Sequence, residues 1–169
     1  MIALKDGADL RLAEYQPELL EALVPMWRQS FEFGVGVTDS HPLAEQRDYF
    51  LTRVLPSCDV HVALLDGVLV GFAAANCESL SQLYVRVGYH GRGIGSSLLE
   101  WAKRQSDGSL WLYTFERNVI ARRFYECHGF TATQIGFESM WQLNDVRYEW
   151  SEAAHNGHAT LTDRHDNSP

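Results

Sequence analysis

One eight-residue stretch constrains this chain more than any other: Gly88-Tyr89-His90-Gly91-Arg92-Gly93-Ile94-Gly95, set between a strand-like run and a helix-like run. Before it, residues 79–87 (SLSQLYVRV) place Leu83, Val85 and Val87 in alternation with Gln82, Tyr84 and Arg86, the period of a β-strand. After it, Ile94, Leu98, Trp101 and Ala102 recur at helical spacing, up to about Gln105. A strand, a glycine turn and a helix in immediate succession present the unpaired N–H groups and positive dipole end of the first helical turn to whatever lies over the turn. Glycines let a phosphate come up to the backbone with no side chain in the way. The stretch therefore reads as a pyrophosphate cradle, with Arg92 adding a charge-assisted contact and Ser96 or Ser97 a hydroxyl. A tight turn with close packing would use glycines too. A P-loop is excluded because Gly-Ser-Ser stands where Gly-Lys-Ser/Thr is needed. A dinucleotide fingerprint needs G-x-G-x-x-G where this chain has G-x-G-x-G, although Glu116 near the end of the next strand keeps that reading open.

The rest of the chain alternates in the same way. Residues 8–15 read as a strand. Pro17 opens a helix that runs to about Phe31 through Leu19, Leu20, Leu23, Met26 and Trp27. Residues 34–40 read as a loop, and 42–54 as a second helix with Leu43, Tyr49, Phe50 and Val54 as its apolar face. Residues 59–65 and 68–75 are strands joined by Asp66-Gly67, a strong hairpin signal. Residues 109–115 (SLWLYTF), apolar on both faces, predict a central strand flanked by helices. Residues 118–128 predict a helix capped by Asn118 and stopped at Gly129, with Ile120, Phe124 and Cys127 facing the core. Two last strands follow, at 131–143 and 145–150. This order predicts one α/β domain over residues 1–152, then a polar, flexible tail at 153–169 that holds His155, His158 and His165.

Charge is uneven. Residues 1–80 carry five Lys/Arg against twelve Asp/Glu, whereas residues 86–123 carry seven against three. An acidic body with one basic stretch suits a small anionic ligand and not nucleic acid, which wants a broad basic face. No run approaches the ~20 apolar residues that span a bilayer, and residues 1–10 lack the apolar core of a secretory signal. Cys58, Cys77 and Cys127 are odd in number and widely spaced, so neither a disulfide framework nor a metal site is expected. They are expected to be buried thiols in a reducing, cytoplasmic setting.

Two stretches carry a resemblance. His90-Gly91-Arg92-Gly93-Ile94-Gly95-Ser96-Ser97-Leu98-Leu99 is similar to the cofactor motif Gln/Arg-x-x-Gly-x-Gly/Ala of GNAT-type N-acetyltransferases, with His90 in place of Gln or Arg. Asn118-x-x-Ala121-x-x-x-Tyr125, followed by Gly129-Phe130, resembles that family's second pattern and puts Asn118, Ala121 and Tyr125 on one helix face. The resemblance is sharp over residues 80–130. It implies the GNAT acyl-CoA N-acyltransferase fold, an α/β fold with a central mixed, mostly antiparallel sheet of about seven strands and about four helices. It implies acetyl-CoA as co-substrate, held by Leu83, Tyr84 and Val85 along the pantetheine arm, by residues 90–96 at the phosphates and by Asn118 and Ala121. In the family a bulge in the 83–85 strand splays the sheet. The Tyr at position 125 points at the thioester sulfur.

The resemblance further implies direct attack of a primary amine on the thioester, with Tyr125 as general acid to the leaving thiolate, help typically worth ~10²–10⁴ in rate. A backbone N–H of Tyr84 or Val85 is the expected oxyanion donor. Glu78 is the first candidate for the base, with Gln82 through water, Tyr113, Glu32 and direct loss of the proton to solvent as alternatives. Aromatic and acidic residues around 31–42 hint at a cationic or amphipathic amine, a small molecule or a peptide. Exposed terminal strands leave room for a homodimer. A non-catalytic acyl-CoA sensor on the same fold is the rival reading, and the presence of Tyr125 favours the enzyme. Replacing Gly93 by Asp is expected to weaken CoA binding at least ~10-fold in a calorimetric titration, by steric block and phosphate repulsion. Wild-type affinity in that variant would put the cradle elsewhere.

Overall fold

The computed structural model describes residues 2–3 and 9–153. The tail proposed for 153–169 lies, from residue 154 on, outside the described residues. The chain runs β1 (Ile2–Ala3), β2 (Asp9–Glu14), a 3₁₀ turn (Pro17–Leu19), α1 (Leu20–Val35), α2 (Leu43–Tyr49) and a π-helical turn (Phe50–Val54). It continues with β3 (Asp59–Leu65), β4 (Val68–Ala75), β5 (Leu80–Val85), α3 (Ile94–Gln105), β6 (Ser109–Phe115), α4 (Val119–Cys127), β7 (Thr131–Glu138) and β8 (Leu143–Ser151). This is the mixed α/β architecture expected, with antiparallel order β1-β2-β3-β4-β5 in one sheet and β6-β8-β7 in the other.

Both faces of the larger sheet are covered. Along β3, Val60, Val62 and Leu64 pack towards α1 and the π turn, while Ala63 and Leu65 join the core that holds Leu98, Leu99 and Trp101 of α3. Every residue of β4 except Val68 is buried, as a strand between two helical layers must be. Gly71 permits the contact: a Cβ there would lie 2.8 Å from the Tyr84 carbonyl oxygen and 3.3 Å from a Leu98 methyl.

The two sheets meet where β5 and β6 begin. A parallel bridge joins Ser79 to Trp111, the Trp111 N–H donates to the Glu78 carbonyl at 3.1 Å, and the Asp107 N–H donates to that of Cys77 at 3.2 Å. Beyond it the strands diverge. A bulge lies just above the junction: Ala75 pairs with Leu80 and Ala74 with Gln82, so Ser81 is the extra residue. Its effect is visible in the packing, because Leu80 and Leu83 face the same core although three residues apart, while Tyr84 faces the other.

Several expectations are corrected. The first helix does not stop near Phe31 but continues to Val35, where Gly36 caps it at φ 70° and donates its N–H to the Glu32 carbonyl at 2.8 Å. The second helix does not present Leu43 and Tyr49 to the core; they are 45% and 50% exposed. The π turn after it shifts the helical phase and sends in only Phe50 and Val54. β6 is covered on one face alone: Leu110 and Leu112 are buried while Tyr113 is half-exposed, for Trp111 and Tyr113 shield each other on a face that Arg147 also covers. On α4 the buried residue is Tyr125; Ile120 is exposed and Phe124 half-buried because they border a cavity, and Cys127 is exposed outside it. The thiols are not buried as a set, Cys58 being half-buried and Cys77 and Cys127 exposed. No helix among the described residues is long and apolar enough to cross a membrane.

Replacing Gly71 by Ala should cost about 1–3 kcal/mol, the usual penalty for forcing an extra methyl into a packed core. Urea unfolding checks it, and an unchanged midpoint would mean that β4, β5 and α3 can separate freely.

Candidate active site

The divergence of β5 from β6 leaves a cavity of about 800 Å³ at the C-terminal end of β5, the end where open α/β sheets place their ligands. Leu83, Tyr84 and Val85 form its floor. The antiparallel pattern decides which of their backbone groups are free. The Arg86 N–H bonds the Val70 carbonyl at 2.8 Å, so Tyr84, paired with Phe72, spends its N–H and carbonyl on β4. Leu83 and Val85 therefore turn theirs towards the split. The Val85 carbonyl receives the buried Ser30 hydroxyl at 3.0 Å, which pins α1 to the floor. The Val85 N–H faces the cavity.

The glycine turn and the start of α3 form the second wall. His90, Gly91, Arg92 and Gly93 line it, followed by Gly95 and Ser96. Gly91 and Gly93 stand at φ 78° and 82°, and a Cβ at either would meet nothing within 4 Å. The space over the backbone is open, as a cradle for phosphate requires. Arg92 extends over the Tyr89 ring at 5.1 Å. His90 stacks on Phe33 of α1, with ring centroids 5.7 Å apart and 18° between planes. That contact accounts for a flat ring where the resembled motif has Gln or Arg. Ile94, named with the cradle from the sequence, is 1% exposed and packs beneath the turn, not in the cavity lining.

α4 is the third wall. Asn118 caps it, accepting the Ala121 N–H at 3.1 Å, and Asn118, Ala121 and Tyr125 all line the cavity. Gly34 is a glycine inside a helix because a Cβ there would lie 2.9 Å from the Asn118 amide nitrogen. Tyr125 is 6% exposed and packs edge-on to Phe124 and Phe130. Burial first, and the neighbouring Tyr84 phenol second, push its pKa well above the ordinary tyrosine value. Burial likewise pushes Tyr84 up to about 12, against the pull of a Trp27 hydrogen bond. Both phenols stay protonated, and Tyr125 can give a proton but does not readily lose one to water.

Glu78 stands apart from this set. It is exposed on the turn before β5, at the joined end of the split, and does not line the cavity. Nor do Gln82, Tyr113 or Glu32; the Glu32 carboxylate accepts the Asp39 N–H at 2.8 Å. Near it, the loop after α1 is fastened by Arg28, whose Nε lies 3.0 Å from Asp39. Burial opposes the ionised form of Asp39, but hydrogen bonds from the His41 amide and ring, with the Arg28 charge, outweigh it and hold the carboxyl below its usual range. Trp141 of the β7–β8 turn packs on Phe31 at 4.9 Å and on His41 at 5.8 Å, closing an aromatic wall beside the loop.

Six lining residues escaped the sequence reading: Ser30, Phe33, Gly34, Tyr89, Ile120 and Phe124. For the first three a signal existed, since they recur at spacings of three and four once the helix is extended past Phe31. Ile120 and Phe124 were assigned to the core because apolar residues lining a cavity obey the same periodicity as those filling one.

Residues 56–132 match the family model of the acetyltransferase (GNAT) domain. No curated protein matches the chain. Among solved structures, the PaiA N-acetyltransferase from Thermoplasma acidophilum, determined in complex with coenzyme A, is 19% identical with a TM-score of 0.68, over 85% of this chain and 99% of that one. A GCN5-related N-acetyltransferase from Rhodopseudomonas palustris is 23% identical with a TM-score of 0.70, over 83% and 94%. YncA from Salmonella typhimurium, determined with its cofactor acetyl-CoA, is 16% identical with a TM-score of 0.64, over 85% and 94%. Likenesses at such identity establish the fold.

Replacing Asn118 by Ala should cost about 1 kcal/mol of stability through loss of the cap. Thermal unfolding checks it, and an unchanged transition would mean that the Asn118–Ala121 bond contributes nothing to α4.

Proposed function

We propose, from the match of residues 56–132 to the GNAT acetyltransferase domain, that this chain transfers the acetyl group of acetyl-CoA to a primary amine by direct attack within a ternary complex. The observation that carries the reading is the placement of a buried Tyr125 in the same cavity as an open glycine cradle and the free edge of β5. The residues fit the cofactor. The cradle and the first-turn amides of α3 suit its pyrophosphate, with Arg92 adding positive charge. Leu83 and Val85 offer the backbone groups that an extended pantetheine arm can pair with as an added strand. Ala121 and the Asn118 side chain border the same channel.

Bound acetyl-CoA would supply the activated acetyl group and a thiolate leaving group. The Val85 N–H is the donor for charge developing on the carbonyl oxygen; Tyr84, bonded to β4, is not. Tyr125 donates its phenolic proton to the departing sulfur. Its raised pKa keeps that proton in place until the sulfur departs; a thiol of ordinary pKa about 8.5 is the stronger acid of the two, so the transfer draws on the same burial, which disfavours a bare thiolate beside the phenol. No carboxylate lines the cavity among the described residues, so the proton of the attacking ammonium is assigned to water and not to Glu78. The acceptor enters beside the wall of Phe31, His41 and Trp141, whose aromatic rings and neighbouring Glu32 suit a cationic or amphipathic amine.

Thiol release from acetyl-CoA over a panel of amines tests the reading. Tyr125→Phe should leave the Kd for acetyl-CoA within about twofold and lower kcat at least ~10-fold. Equal turnover would remove the general-acid role, and binding without turnover on any amine would favour the sensor. Because the folded pKa of Tyr125 lies above the ordinary value of about 10, its proton is retained through neutral and mildly alkaline pH. The rate profile of the wild type should therefore show no alkaline loss below about pH 10 that is absent from Tyr125→Phe.

A further inference from the structure

We infer that His128 is a positioning residue for the phosphate cradle, acting through Ser96. His128 ends α4, far in sequence from the glycine turn. Its Nδ1 lies 2.7 Å from the Phe124 carbonyl oxygen and its Nε2 lies 2.9 Å from Ser96 Oγ. The ring packs against Phe124 at a tilt of 43°, centroids 4.3 Å apart. Ser96 is in the first turn of α3 and lines the cavity beside Gly93 and Gly95.

The tautomer follows from the partners. A carbonyl oxygen only accepts, so Nδ1 carries a hydrogen. In a neutral ring Nε2 is then an acceptor, and the Ser96 hydroxyl donates its one hydrogen to it. In that state Ser96 has only lone pairs to show a phosphate, which likewise only accepts. If a proton from solvent binds Nε2, the direction reverses: Nε2–H donates to Ser96 Oγ, and the hydroxyl hydrogen turns to a phosphate oxygen. The imidazolium also adds a positive charge next to the helix N-terminus. Proton binding at His128 and anion binding at the cradle therefore reinforce each other, by the reciprocity of linked equilibria.

The other charged and titratable groups around the ring do not bond Ser96, and His90, the second histidine of the cradle, stacks on Phe33. On α3, Lys103 donates to the His128 carbonyl at 3.0 Å and pairs with Glu100 at 3.1 Å. Arg92 lies in the turn over Tyr89. Glu126 of α4 accepts the Tyr148 hydroxyl at 2.6 Å, and Cys127 is exposed.

The inference rests on the cavity being the acetyl-CoA site, and the test separates the two. CoA and dephospho-CoA are titrated calorimetrically into the wild type, His128→Gln and Ser96→Ala between about pH 5.5 and 8.5, which brackets histidine titration. Dephospho-CoA removes the titrating 3′-phosphate, and thermal unfolding confirms that each variant is folded. The wild type should bind dephospho-CoA about fivefold or more tightly at the low end than at the high end, the lower range of a linked coupling. That slope should be lost in His128→Gln, apart from any share due to His90 in the cradle, and should shrink in Ser96→Ala, where only the charge of the ring is left. His128→Gln, whose amide can donate to Ser96 at any pH, should bind at pH 8.5 at least as tightly as the wild type. Equal pH profiles in the wild type and His128→Gln would overturn the inference. So would retention of the full slope in Ser96→Ala, a measurement that stands if His128→Gln fails to fold. A wild type that binds neither ligand at any pH would overturn the acetyl-CoA reading, and the inference with it.

Discussion

The structure depends on two parallel strands that touch at their start and then part. β5 and β6 are joined at Ser79 and Trp111, and above that point the inward edge of β5 has backbone groups with no strand to receive them. Unpaired backbone is expensive to bury, so an opened edge needs either solvent or a partner. Here the Ser30 hydroxyl takes the Val85 carbonyl, and the remaining groups face the cavity. The bulge at Ser81 lies on β5 where the gap begins, and the glycine at position 34 lets α1 approach the Asn118 cap of α4 at its border.

Much of this was legible in the residues. Asp66-Gly67 announced its hairpin, and the glycine turn its strand and helix, because few residues other than these readily take the positive-φ backbone that such turns require. Twelve of the fourteen named site residues line one cavity. What escaped was set by tertiary contact. Gly34 looks like a loop residue, and only the proximity of Asn118, far along the chain, explains a glycine inside the helix. The phase shift at the π turn moved Leu43 and Tyr49 off the core, and no local pattern encodes that shift. Ile120 and Phe124 have the spacing of core residues but border an open space. Glu78 was chosen by its place on a strand, and the direction of the splay, which no local pattern states, leaves it at the joined end.

Three walls from distant segments give the cavity a division of labour. The floor supplies backbone groups, the glycine turn positive potential, and α4 a phenol kept neutral by burial. Tyr148 and Arg122 fasten α4 to β8: the Arg122 Nε donates to the Tyr148 hydroxyl at 3.1 Å, and that hydroxyl donates to Glu126 at 2.6 Å. Tyr125 therefore sits on a helix locked to the smaller sheet, while the cradle is locked to the larger one. The Ser96–His128 contact spans the two.

The most direct test is a thermal-shift titration with acetyl-CoA, CoA, NAD and ATP. A ligand at about 100 times its Kd stabilises by about 2.7 kcal/mol, a shift that is easily seen. A rise with acetyl-CoA and CoA alone is the predicted result. No rise with either, or a rise with NAD alone, would contradict the assignment of the split between β5 and β6 as an acyl-CoA site.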